Sequence, residues 1–288
     1  MNGNLKLALQ KKGRLTEKSL ELLSLCGMDI ENYSERLVVS VRNFPLDILF
    51  LRDDDIPEYV QDGVADIGIV GENVVFEKQT QTIILEKLGF GRCSLLFAYP
   101  EGKEIKKIEE INGKTIATTY PRILKEYLKS NYLNAKVIEL SGSVEIAPSL
   151  GIADLICDIV STGNTLMMNK LKKSFKVFDS QAVLISAGSL LMDERKNDIL
   201  NDLLRRIRSV RTARSSKYLM MNIPKDSLEK IIGIIPSLKS PTVLHLADEN
   251  MLAVHAVIPS DKFWEIINDL KSAGASGILL LPIENLIQ

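Results

Sequence analysis

Strand-forming runs recur at short intervals along the first part of the chain: LKLAL at 5–9, RLVVSV at 36–41, DILFLR at 47–52 and ADIGIV at 65–70. Between them lie segments with helical spacing, such as LTEKSLELLSLCG at 15–27. Apolar runs this short, alternating with amphipathic helices, need helices over both faces of the sheet they form, which confines the chain to an α/β architecture. The 15–27 segment turns Leu15, Leu22, Leu23, Leu25 and Cys26 toward one side and stops at Gly27, with Lys11 to Arg14 in the turn before it. The backbone amides of that turn then point at whatever sits above the strand end.

A second set of runs, SLLFAYP, KTIATTY, AKVIEL, ADLICDIV and FKVFDSQAVLIS, alternates with helical patterns at 121–130 and around 163–173. It predicts a second α/β lobe. Residues 190–215 carry Leu and Ile at helical spacing without Gly or Pro, which predicts one long amphipathic helix with its six arginines on a solvated face. From 216 the order becomes strand, helix, strand, strand, helix, strand, the ferredoxin-like βαββαβ plan. The 288 residues, about twice the ~150 of a typical domain, leave room for such a separate unit.

Lys plus Arg total 36 and Asp plus Glu total 37, so no global charge draws the chain to nucleic acid or to an anionic membrane. The N-terminal apolar stretch is too short for a signal peptide, and no run approaches the ~18 apolar residues of a membrane span. A cytoplasmic location is expected. Cys26, Cys93 and Cys157 fit neither a disulfide framework nor a metal clamp and read as buried small side chains. The two histidines, His245 and His255, are too few for a His-ligated zinc and sit too near the C-terminus for a triad centred upstream; packing or exposure on strands is expected for both. What remains is chemistry done by carboxylates, cations, backbone amides and a hard metal ion.

The most informative stretch is EIAPSLGIADLICDIVSTGNTL, Glu145 to Leu166. A strand delivers Asp158, and Ser161, Thr162, Gly163, Asn164 and Thr165 then form a small, hydroxyl-rich turn that opens a helix. Such a turn can cradle a phosphate, because glycine admits an anion close to the backbone and several N–H groups converge at a helix start. A carboxylate one step below is suited to vicinal hydroxyls, so a ribose 5-phosphate fits the whole constellation. The competing reading is an N-capping turn with Asp158 as a surface acid. A Walker sequence is absent.

These residues, together with KKGRL at 11–15, RDDDIPEYVQDGVADIGIVGEN at 52–73, LGFGRCSL at 88–95 and IATTYP at 116–121, resemble the ATP phosphoribosyltransferase family in its long form, almost end to end. The resemblance implies a two-lobed catalytic portion of periplasmic-binding-protein type II, with the first lobe discontinuous (1–95 and 180–213) and the second at 96–179, followed by an ACT-like domain at 216–288. It implies transfer of the phosphoribosyl group of phosphoribosyl diphosphate to N1 of the adenine of ATP, with Mg²⁺ carried on diphosphate, feedback inhibition by histidine, and homo-oligomers, dimer and hexamer.

It also lends roles to single residues. Asp158, Asp154, Arg52 and Lys11 become candidates for catalysis, and Gly13, Arg14, Asp66, Gly71, Glu72, Arg92, Tyr120, Glu145 and Ser161 to Thr165 for substrate binding. Asp66, Gly68 and Gly71 resemble a glycine-rich turn that lets substrate approach the backbone. Glu72 reads equally as a first-turn acid stabilised by the helix dipole, Arg92 as a hinge-surface cation, and Tyr120 as core. Asp55 reads as the N-cap of a helix begun by Ile56-Pro57. Thr242 and the Ala273, Ala275, Ser276 turn are candidates for an inhibitor pocket between C-terminal domains, or simply a strand start and a tight turn. Two rivals stand beside this reading: a phosphoribosyltransferase acting on free bases, which usually has two adjacent acids where this chain has Cys157 and Asp158, and a two-lobed solute or amino-acid sensor.

Overall fold

The computed structural model describes residues 3–31, 36–160, 163–188 and 193–287. Two compact units divide the chain: residues 1–21 with 28–199, and residues 22–27 with 200–288.

The first unit holds two sheets. One contains β1 (Leu5–Gln10), β2 (Val38–Ser40), β3 (Leu46–Leu51), β4 (Ile67–Gly71), β5 (Thr82–Lys87) and β11 (Ala182–Ala187), in the order β2-β3-β1-β4-β11-β5. β1 runs parallel to β3 and β4, while β11 is antiparallel to β4 and β5. The other contains β6 (Cys93–Pro100), β7 (Thr115–Thr118), β8 (Lys136–Glu139), β9 (Leu155–Val160) and β10 (Leu171–Ser180), in the order β10-β6-β9-β7-β8, with β7 parallel to β8 and β9. A returning strand inserted antiparallel beside the parallel core of the first sheet makes this the two-lobed, type II periplasmic-binding-protein arrangement. Helices α1 (Arg14–Leu25), α2 (Ile56–Gln61), α3 (Glu72–Lys78), α4 (Pro121–Ser130) and α5 (Asn164–Met168) make the connections. All six residues of β11 are buried, as a strand flanked on both edges and both faces must be.

Two expectations are corrected. FKVFDSQAVLIS is not one strand: β10 ends at Ser180, opposite Cys93, and β11 starts at Ala182, opposite Gly71, so the chain changes sheets at Gln181. The outgoing segment runs beside it, with Leu88 N–H donating to the Ala182 carbonyl and Ala182 N–H to the Phe90 carbonyl, both at 2.9 Å. The helical pattern around 163–173 yields only the five residues of α5. Lys170 takes φ 53° there, and the chain continues as the extended β10, paired antiparallel with β6.

The parallel strands share a clamp at their N-terminal ends. Asp66, just before β4, accepts Lys6 N–H at 2.8 Å, and its own N–H donates to the Lys6 carbonyl at 2.9 Å. Asp154, just before β9, repeats this with Thr115 at 2.8 Å in both directions. Each follows a glycine in the left-handed region, Gly63 (φ 73°) and Gly151 (φ 71°), in the matched stretches GVADI and GIADL.

The second unit contains β12 (Ser216–Pro224), α7 (Leu228–Ile234), β13 (Thr242–His245), β14 (Met251–Pro259), α8 (Phe263–Ser272) and β15 (Ser276–Pro282). Its wholly antiparallel order, β13-β14-β12-β15, is the ferredoxin-like plan. Leu219, Met221 and Ile223 alternate with Val254, Ala256 and Ile258 on the covered face, against Ile231, Phe263 and Leu270. The long helix α6 (Glu194–Arg214) straddles the division between the units at Ile199 and Leu200. Its arginines are not all solvated. Arg206 is half-buried, bonded to Asp202 and to the Cys26 carbonyl, each at 3.2 Å.

The Asp154 clamp carries a consequence for stability. Asp154→Ala leaves the Thr115 N–H without its acceptor and should destabilise the protein by about 1–3 kcal/mol, read as a lower urea midpoint; an unchanged midpoint would show the clamp to be idle.

Candidate active site

Ligands of α/β sheets gather at the C-terminal ends of parallel strands, where successive connections leave in opposite directions. In the second sheet that point lies between β7 and β9, whose ends carry Thr119, Tyr120 and Asp158. Asp158 Oδ1 accepts the Thr119 hydroxyl at 3.0 Å and the Ile159 N–H at 2.8 Å. Among the described residues, no hydrogen bond reaches Oδ2. Burial raises the Asp158 carboxyl above the usual range; its two hydrogen bonds oppose that, and the charge of Glu145 adds to it. Glu145 is half-buried in the short turn before Pro148 and so does reach the environment of Asp158.

Tyr120 lies on the other flank. Burial raises its phenol, and the charges of Asp158, Asp53 and Asp54 raise it further, so it stays a neutral donor. It packs against the core of the second lobe while also lining a cleft. Tyr120 and Thr119, with Glu139 of the same lobe, face Asp54 and Glu58 across a cleft of about 620 Å³ between the lobes. Asp53, beside Asp54, has a buried Oδ1 without a hydrogen-bond partner among the described residues, and burial together with Asp54 pushes its carboxyl up to about 6.

The rim of the first sheet collects cations. Lys11 N–H donates to the Leu51 carbonyl at 2.8 Å, which sets the exposed Lys11 beside the exposed Arg52 at the ends of β1 and β3. Gly13 (φ 124°) and the exposed Arg14 complete the turn into α1, and Thr16 ties that turn to the Gln10 carbonyl at 2.7 Å. At the lobe junction the exposed Arg92 shares a cavity of about 480 Å³ with Glu72, Lys87, Cys93 and Val160.

Several residues singled out in the sequence stand elsewhere or act otherwise. Asp154 and Asp66 lie at the opposite strand ends; Asp154 precedes Asp158 by four positions, about 13 Å along the strand. Asp66 is further occupied by Lys196 at 2.8 Å. The space beside Gly68 and Gly71 belongs to the protein: a Cβ at Gly68 would come within 2.6 Å of Ile56, and one at Gly71 within 2.4 Å of Asn73 Oδ1. Asn73 is held by the Ser180 hydroxyl at 2.7 Å. Glu72 is buried at the start of α3 and paired with Lys87 at 2.8 Å. Asp55 occupies the N-cap position of α2 without a side-chain cap bond. Cys93 is only half-buried, unlike Cys26 and Cys157.

In the turn after β9, Ser161 and Thr162 lie outside the described residues, as does the side chain of Asn164. Gly163 takes φ 87° at the N-cap of α5, and Thr165 follows in the helix. A Cβ on Gly163 would fall 2.7 Å from Lys173 Nζ, so the ammonium of Lys173, carried on β10, lies against this turn. Sequence spacing hides Lys173, since a bulged antiparallel strand brings it back from ten residues downstream.

A family model described as ATP phosphoribosyltransferase matches residues 52–209, and one for the C-terminal domain of the same family matches 213–285. The chain belongs to the ATP phosphoribosyltransferase family. It is 46% identical over 288 residues to the ATP phosphoribosyltransferase of Cytophaga hutchinsonii, covering all of both chains. It is 48% identical over 283 residues to that of Bacteroides thetaiotaomicron, covering 98% of this chain and 99% of the relative. A solved structure, the ATP phosphoribosyl transferase (HisG:HisZ) complex from Thermotoga maritima, contains a chain with TM-score 0.59 and 32% identity, matched over 71% of this chain and 98% of that one. ATP phosphoribosyltransferase of the long form is thus a pentosyl-transferring enzyme of histidine biosynthesis. Among the described residues of this transferase, no helix is long and apolar enough to cross a membrane, and no three His, Cys, Asp or Glu side chains group as metal ligands.

In the C-terminal domain Thr242 is exposed on edge strand β13, opposite His255, while buried Ala273 and Ala275 and exposed Ser276 lead into the far edge strand, β15. Within one domain these two candidate groups do not meet. His255 is bonded to Tyr218 at 3.1 Å, and His245 is exposed.

The raised carboxyl of Asp53 predicts a pH effect. Its folded pKa lies above its unfolded one, so its favourable contribution is present below pH 4 and is lost as pH rises toward about 6. Without divalent ions, Asp53→Asn should therefore gain up to about 3 kcal/mol at pH 7 and nothing at pH 4, compared by urea unfolding; an equal gain at both would remove burial of charge as the cause.

Proposed function

We propose that the chain transfers the 5-phosphoribosyl group of phosphoribosyl diphosphate to N1 of the adenine of ATP, releasing diphosphate with inversion at the anomeric carbon, as the committed step of histidine biosynthesis in the cytoplasm. The observation that carries this reading is Asp158, fixed through one oxygen by Thr119 and Ile159 directly before a glycine turn faced by the Lys173 ammonium. Its other oxygen is open to accept hydrogen bonds from the ribose hydroxyls. Residues 161–165 and Lys173 would hold the 5-phosphate. Lys11, Arg14, Arg52 and Arg92 would meet the phosphates of diphosphate and nucleotide. We assign residues 1–95 and 180–213 to the first lobe, 96–179 to the phosphoribosyl-binding lobe and 216–288 to a regulatory domain.

N1 of adenine already has its lone pair, so the chemistry asks for alignment and charge stabilisation rather than for a strong base. Holding two substrates in line can supply roughly 7–11 kcal/mol. As the leaving group departs, the ribose gains oxocarbenium character. The carboxylate of Asp158 opposes that positive charge, and neutral Tyr120 can donate a hydrogen bond without adding a second negative charge. The cleft acids Asp54, Glu58 and Glu139 would repel bare polyphosphates, which fits substrates that arrive with a divalent cation. Asp53, with its orphaned oxygen, and Asp54 are hard donors of the kind Mg²⁺ accepts and are the residues that would hold it. Bound on diphosphate, Mg²⁺ supplies neutralisation of the leaving group.

Histidine as feedback inhibitor would bind where Thr242 of one C-terminal domain approaches the Ala273–Ser276 turn of another, in the dimers and hexamers that the family resemblance implies.

The reading is tested by diphosphate release from phosphoribosyl diphosphate with ATP, with free bases and with neither, each with and without histidine; release that does not depend on ATP would defeat it. Asp158→Ala should cut kcat/KM for the sugar substrate by more than ~10-fold, equal to about 1.4 kcal/mol. Lys173→Ala should raise KM for phosphoribosyl diphosphate by roughly tenfold, the weight of a charge-assisted phosphate contact, with KM for ATP nearly constant. Equal changes in both constants would remove Lys173 from the phosphate site.

A further inference from the structure

Helix α4 begins in the second lobe without a cap of its own. Tyr120 holds the N-cap position and makes no side-chain cap bond, so the first free N–H groups of the helix need an acceptor from elsewhere. Glu77, on the last turn of α3 in the first lobe, provides it. Its Oε1 accepts Arg122 N–H at 2.9 Å and its Oε2 accepts Ile123 N–H at 3.1 Å. The contact is returned: Arg122 Nη1 donates to the Lys78 carbonyl at 3.3 Å and to Gln79 Oε1 at 3.4 Å, and Gln79 Nε2 donates to Glu126 at 3.2 Å. Phe76 closes the same seam edge-to-face on Phe178 at 5.0 Å.

We propose that Glu77 is a positioning residue that sets the spacing of the two lobes. Its carboxylate both carries charge toward the positive end of α4 and satisfies two amides, so separating the lobes uncovers a helix start that the second lobe cannot cap alone. Because Tyr120 is the residue next to this helix start, the spacing that Glu77 holds is also the one in which Tyr120 and Thr119 face Asp54 across the cleft. Loss of the clasp therefore lowers the fraction of molecules ready to bind, without altering the groups at the reacting atoms. The kinetic part of this inference rests on the cleft being the substrate site.

The test uses the full-length protein. In Glu77→Gln, amide hydrogen exchange at 122–124 should rise by more than about tenfold in the ligand-free protein, while KM for ATP or phosphoribosyl diphosphate rises by about three- to tenfold and kcat stays within about twofold, the signature of a depleted competent state. Arg122→Ala, which removes the returned contact and keeps the backbone amides, should show the same split in milder form and serves if Glu77→Gln does not fold. Faster exchange with KM unchanged would reduce Glu77 to a helix cap and overturn the proposal, as would a fall in kcat at constant KM, a lower KM, or unchanged exchange. A wild-type protein without transferase activity would instead defeat the functional reading, and the exchange result would still report on the clasp.

Discussion

The register of the parallel strands is the constraint on which the site depends. A strand shifted by one residue turns every side chain to the other face, so a device that pins the strand start also decides what arrives at the strand end. Asp154 pins β9 to Thr115 at the start of β7, and that register places Cys157 in the core and Asp158 beside Thr119. Asp66 pins β4 to β1 in the same way. Asp154, read in the sequence as a catalytic candidate, and Asp66, read as a substrate-binding one, thus act on strand register, at the strand ends opposite Asp158 and the Lys11–Arg52 rim.

Electrostatics then divides the labour between the lobes. Carboxylates line the cleft, Asp54 and Glu58 from one lobe and Glu139 from the other, while Asp53 and Asp158 lie close enough to raise the cost of ionising Tyr120 between them. The cations stand on the rim, at Lys11, Arg14 and Arg52, or behind the glycine turn at Lys173. Such a layout suits a reaction in which positive charge develops on a sugar ring while negative charge leaves on phosphate.

Much of the fold was legible because periodicity and helix punctuation are local. The α/β lobes, the long α6 and the βαββαβ order all follow from spacing. The sheet change at Gln181 was legible only through the family resemblance, which returns the chain to the first lobe at 180; by spacing alone FKVFDSQAVLIS reads as one strand, and only the pairing partners divide it. Asp158 was legible through the turn that follows it. Thr119 and Lys173 were hidden because each reaches the site across the sheet, from strands 39 residues before Asp158 and ten after Gly163. The matched stretches GVADI and GIADL were the signal available for Asp66 and Asp154: the same acid at the same point of two lobes argues for a shared structural duty.

The C-terminal domain poses the remaining geometric problem. Its edge strands β13 and β15 are separated by two others, about 14 Å at the usual spacing. An amino acid is too small to touch Thr242 and the Ala273–Ser276 turn of one domain at once. A pocket that uses both must therefore join unlike edges of two copies, and a ligand that binds there favours the assembled state over the free chain by mass action. On the proposed reading, regulation by a small molecule and association of subunits would be one equilibrium: a ligand held by two copies would strengthen their pairing by the same free energy with which pairing strengthens its binding.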